Sequence, residues 1–125
     1  HAVHPICQLV GDRWRIPHGR SLGLMLPQIL EFSMNGCLDR LGDVAEALGE
    51  DTAGLSPRAA AERGIEAIRQ LLIDVGTHYP LREHGATEAE LEKLAAQYAK
   101  LPPNPIFPRP IRSAEDVMSI FRKAL

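Results

Sequence analysis

The chain has 125 residues, 45% hydrophobic and 24% charged, with a net charge of −2. That is enough for one domain with a real core, and the balance is that of an ordinary globular protein. No basic block marks a nucleic-acid surface. The longest strongly apolar stretch, 22–30, is interrupted by Gly23, Pro27 and Gln28 and is too short to cross a bilayer, so neither nucleic acid nor a membrane is expected as a partner.

No secretory signal opens the chain. Cys7 and Cys37 therefore read as reduced thiols of a cytoplasmic protein. The first residue is His1, not Met, and the chain begins directly on a segment rich in candidate ligands. The expectation is a piece of a larger protein.

Val, Ile and Thr are sparse and no useful run alternates with period two, so helices are expected nearly throughout. A short helix is expected over 1–10, stopped by Gly11, with a turn over 12–17. A helix over 19–34 follows. Its apolar residues (Leu22, Leu24, Met25, Leu26, Ile29, Leu30, Phe32) surround the axis, as in a helix buried among others. Pro27 predicts a kink or local break in it. The next helix, 37–48, has Leu41, Val44, Ala45 and Leu48 at helical spacing and Gly49 as its stop.

Ser56 followed by Pro57 is an N-cap with proline at the first helical position. That helix should reach about residue 75, with Ile65, Ile68, Leu72 and Val75 on one inward face and Gly76 ending it. Residues 77–86 read as a polar loop with solvated His78 and His84. Thr87 and Glu90 form a capping-box pattern for a helix to about residue 100. The proline-rich stretch 101–111 predicts an extended strap. Ser113 caps a last helix with Val117, Ile120, Phe121 and Leu125 inward. The expected fold is all-α, one helical bundle of five or six helices over residues 1–125, with the short connections of such bundles.

His4 and His18 are the candidate site. Imidazole is a common ligand of divalent metals, and a histidine on each of two adjacent helices can converge on one ion. Two ligands do not close a site, because catalytic centres normally take at least three from protein. The others must lie elsewhere. On spacing alone, two histidines fourteen apart are ordinary surface or core residues. Cys7 reads as a small buried thiol in place of a ligand. Trp14 reads equally as a packing residue or a pocket wall. Arg13 and Arg15 either keep the turn soluble or meet an anionic group. His1 is terminal and expected to fray.

The order of motifs carries more. His4 is followed after three residues by a polar side chain, Gln8, and after nine more by Pro17-His18-Gly19. An apolar helix then includes Met25-Leu26-Pro27, and LGDVAEALG follows over 41–49. Further on come SPRAAAERGIEAIRQLL (56–72), LREHGATEAELEKLA (81–95) and NPIFPRPIRSAEDVMSIFRKAL (104–125). This order resembles the C-terminal helical domain, of the dehydroquinate synthase-like kind, of the iron-containing (group III) alcohol dehydrogenase family. The resemblance covers essentially all of this chain and about the last third of a family member.

The resemblance implies that His4 and His18 are ligands of a divalent metal, iron or zinc. That metal sits in a cleft between this domain and an N-terminal nucleotide-binding domain that is missing here. The implied activity is NAD(P)-dependent oxidation of a small alcohol or reduction of an aldehyde. Gln8 and Trp14 would line the substrate pocket. Two departures stand out. Gln8 stands where the family often carries a histidine near substrate, and glutamine cannot carry a proton at neutral pH. Leu22 stands where many members have asparagine. Alone, the chain is expected to be inactive and to hold metal weakly or not at all, and a homo-oligomer is left open. The alternative is a stand-alone, non-catalytic helical interaction module derived from such a domain.

Overall fold

The computed structural model describes residues 3–102 and 108–125. Among these it has six α-helices: α1 (Val3–Trp14), α2 (His18–Ser33), α3 (Leu38–Ala47), α4 (Pro57–Asp74), α5 (Glu88–Tyr98) and α6 (Ala114–Ala124). Short 3-10 turns lie at Met34–Gly36 and Leu81–His84, and no strand is present among the described residues. The all-α expectation is borne out. His1 and the middle of the proline-rich stretch lie outside the described residues.

The caps work as the sequence implies. The Ser56 hydroxyl accepts the Ala59 N–H at 3.2 Å. Thr87 with Glu90, and Ser113 with Asp116, form reciprocal capping boxes. Gly49 and Gly76 take left-handed backbone angles past the ends of α3 and α4.

α2 is the hub and packs against α1, α4 and α6. Leu24, Met25, Pro27 and Ile29 are fully buried on it. Of the kink or local break expected at Pro27, the break does not occur, and the helix runs on to Ser33. Contact around its whole circumference holds it through a residue that costs an exposed helix about 3 kcal/mol. The main core joins Ile6 and Val10 of α1, Leu91 of α5 and Phe121 of α6 to this helix. A smaller core of Met34, Leu41, Ala61 and Ile65 lies between α3, α4 and the end of α2.

α4 departs from expectation. Its inward face is buried at Ala61, Gly64 and Ile65, half-buried at Ile68 and Leu72, and exposed at its end. Val75, expected inside, is 60% exposed, and Leu71 beside it 47%. The cause is length. α3 has 10 residues and α4 has 18, a difference of 8. At 1.5 Å per residue α4 outruns its partner by about 12 Å.

The loop before α5 is less solvated than its composition predicts. Leu81 is fully buried, and His78 and His84 are half-buried, each with one ring nitrogen sealed from solvent and unpartnered among the described residues. On the other side of the bundle, Glu31 of α2 pairs with Arg69 of α4 and Lys123 of α6. Burial acts to raise the Glu31 carboxyl, but hydrogen bonds and charge from Lys123 and Arg69 outweigh it and hold the group below its ordinary value.

Candidate metal centre

α1 carries His4 in its first turn, and α2 begins on His18. The reversal between them decides how the two rings meet. Gly11 does not stop α1 as the sequence suggested; the helix runs three residues further, to Trp14. The left-handed residue is instead Arg15, at φ 54°. The Ile16 N–H then donates to the Gly11 carbonyl at 3.0 Å, the six-to-one bond of a Schellman ending.

Gly11 has another role. A Cβ there would stand 3.0 Å from the Ile16 carbonyl oxygen and 3.4 Å from the Ser21 hydroxyl. The missing side chain lets the returning chain and the first turn of α2 lie against α1. Ser21 is itself fully buried, and its hydroxyl donates to the His18 carbonyl at 2.8 Å, fixing the turn from which His18 projects. Pro17, extended at φ −53° and ψ 141°, sets the entry to the helix.

The outcome is a pair of exposed imidazoles with ring centroids 5.4 Å apart and ring planes inclined by 42°. A metal–nitrogen distance of about 2.1 Å puts an ion about 3.2 Å from each centroid, so two imidazoles on a tetrahedral ion have centroids about 5.3 Å apart. The observed separation suits one shared ion. Among the described residues no group of three or more His, Cys, Asp or Glu side chains converges. His4 and His18 are the two potential donors that lie together on this face.

The other candidates are distributed around this pair. Gln8 is exposed one turn beyond His4 on the same helix, where an i, i+4 side chain shares a face. Trp14 lies ten residues along α1 from His4, about 15 Å by helical rise, and packs partly against the main core. Arg13 stands over its ring at 5.7 Å and pairs with Glu90 of α5. Cys7 is fully buried in the main core, where desolvation pushes its thiol up to about 12, and it does not share the exposed face on which the two rings lie. Arg20 carries no signal in the sequence. It stands over Tyr79 at 5.8 Å and joins the start of α2 to the loop beyond α4.

Comparison with known proteins agrees with this architecture. Residues 1–125 match the model of the Fe-containing alcohol dehydrogenase family, C-terminal, and the chain belongs to that family. The 1,3-propanediol dehydrogenase of Klebsiella pneumoniae is 32% identical over 123 residues, covering 98% of this chain and 31% of that protein. The NAD-dependent methanol dehydrogenase of Bacillus methanolicus is 31% identical over 98% of this chain and 32% of its own length. A crystal structure of 1,3-propanediol oxidoreductase superposes with a TM-score of 0.89 at 30% identity, covering 98% of this chain and 32% of that one. An alcohol dehydrogenase from Oenococcus oeni gives 0.87 at 33% identity, with the same coverage of both chains. The chain therefore spans about a third of the length of the relatives it matches.

Proposed function

We propose that His4 and His18 supply two imidazole ligands to a divalent metal, iron or zinc, in an NAD(P)-dependent alcohol dehydrogenase or carbonyl reductase. The remaining ligands and the nucleotide-binding domain lie upstream of this chain. The observation that carries the reading is the ring pair, 5.4 Å between centroids on an exposed face. The relatives add support: they include proteins named for 1,3-propanediol and for NAD-dependent methanol oxidation.

When bound, such a metal polarises an alcohol or carbonyl oxygen as a Lewis acid. This chain's residues do the rest of the positioning. Each histidine offers one ring nitrogen to the ion. The Gln8 amide hydrogen-bonds a substrate oxygen but accepts no proton at neutral pH, so the proton exchanged with the alcohol leaves by water or an upstream group. Trp14, at the far end of α1 from His4 and packed partly against the core, would act as a wall on the substrate side. Two ligands alone hold metal weakly, and the chain by itself is inactive. A cytoplasmic setting suits its two free thiols.

The test is a cobalt or zinc titration of the 125-residue chain, beside His4→Ala and His18→Ala, with helicity followed by circular dichroism. Weak binding should disappear in each variant while helicity stays. Binding unchanged in either variant refutes the ligand assignment. The competing reading, a non-catalytic helical module, draws on Gln8. It would be favoured by metal-free, inactive protein even when the upstream part is supplied.

A further inference from the structure

α3 leaves the apolar face at the end of α4 uncovered. We propose that the last two turns of α4, through Leu71, Leu72 and Val75 and on to Tyr79, are the surface on which the upstream polypeptide of the same protein docks. This rests on the reading above that an upstream part exists.

Three observations carry it. The strip continues a core face. Ala61, Gly64, Ile65 and Ile68 lie on the same side of the helix as Leu71, Leu72 and Val75, at helical spacing, and only the covering helix stops short. An apolar stripe that keeps its period beyond its partner has the pattern of a buried surface. The strip is also contiguous with the candidate metal centre. Leu72 lies against Gly23 of α2, 3.2 Å from where its Cβ would be, and Tyr79 lies under Arg20, two residues after His18. A body that completes the ligand set over His4 and His18 reaches this strip along the start of α2.

Size separates the possible occupants. Three aliphatic side chains and a tyrosine, at roughly half exposure, present on the order of 300 Å² of apolar surface. A stable complex of separate chains buries about 800 Å² on each partner. Interfaces between domains of one chain begin near 600 Å² in total, about 300 Å² a side, because the covalent link supplies the effective concentration. The strip fits a tethered neighbour, and the relatives carry about two thirds of their length outside the matched region.

The test places charge on the strip with Leu71→Glu/Val75→Glu, and separately Tyr79→Gln, which leaves α4 intact. In the 125-residue chain both variants should stay monomeric by sedimentation, with helicity and melting temperature unchanged. In the longer protein both should lower the melting temperature by several degrees and speed proteolysis between the two parts. A dimer of the 125-residue chain that either variant dissociates would assign the strip to a second copy. Melting of the short chain lowered as much as that of the longer protein would assign it to this domain's own core. Either result, or a longer protein indifferent to both variants, overturns the proposal. Failure of the metal reading looks different, because it leaves the melting shifts intact and removes only the effect of His4→Ala on metal content.

Discussion

Gly64→Ala sets two rules against each other. By helix propensity alone, alanine in the middle of α4 should stabilise by about 1 kcal/mol. The structure predicts the opposite. A Cβ at residue 64 would lie 2.2 Å from the Leu41 carbonyl oxygen, 3.2 Å from its carbon and 3.3 Å from the Ala45 nitrogen. All three are backbone atoms of α3, and none can rotate aside. Recovering an ordinary contact requires α3 and α4 to part by on the order of 1 Å, which strips contacts from both helices. Overpacking of this kind costs about 1–3 kcal/mol, and a backbone clash belongs at the upper end, so a net loss of about 2 kcal/mol remains after the propensity gain. At about 4 °C per kcal/mol for a chain of this size, the melting temperature should fall by about 8 °C. Urea and thermal melts should be run beside Gly42→Ala, whose Cβ would meet only the Ala60 methyl at 3.5 Å, and Gly19→Ala, which meets nothing within 4 Å. Those two should gain up to about 1 kcal/mol. If Gly64→Ala gains with them, the close crossing of α3 and α4 is wrong.

Three further outcomes are expected. Cys37, half-buried, should react with a thiol reagent in the native protein, whereas Cys7, fully buried and pushed up to about 12, should react only on unfolding; mass spectrometry of partly labelled protein gives the order, and equal rates would contradict the burial of Cys7. Arg15→Gly should stabilise by about 1 kcal/mol in a urea melt, because glycine takes the left-handed conformation without the cost an L side chain bears; a loss would mean that the arginine side chain supports the turn. Glu31, held below its ordinary value by Lys123 and Arg69 against the effect of burial, contributes stability above its unfolded value of 4.5 and loses it as pH falls through the lower folded value. Glu31→Gln should therefore lower stability at neutral pH and flatten the acid limb of a pH-stability curve, and an unchanged limb would show that the three-helix pairing adds nothing.

The helix starts were plain in the sequence because caps are local. Ser56, Thr87 and Ser113 each bond within three residues, so their partners are visible in a short window. The all-round apolar pattern of α2 also carried its burial. What the sequence misassigned depended on partners far along the chain. Gly11 resembled a helix stop, yet its lack of a side chain serves contact with Ile16 and Ser21. Val75 kept the period of an inward face, and no local pattern records that α3 is too short to cover it. Pro27 broke a local rule that packing from three neighbouring helices overrode. At the candidate site, the spacing of His4 and His18 was legible, while their convergence depended on Arg15 adopting a conformation few L residues favour.

The bare backbone at residue 11 makes the site tunable from a distance. There α2 rests against α1, with His4 near the free end of α1 and His18 at the end of α2 next to the connecting turn. A methyl group at residue 11 would press on the Ile16 carbonyl and the Ser21 hydroxyl and shift the start of α2, and His18 with it, without touching either ring. Variants that change the spacing of the two rings should therefore arise at residues that touch neither, and Gly11 is the first place to look.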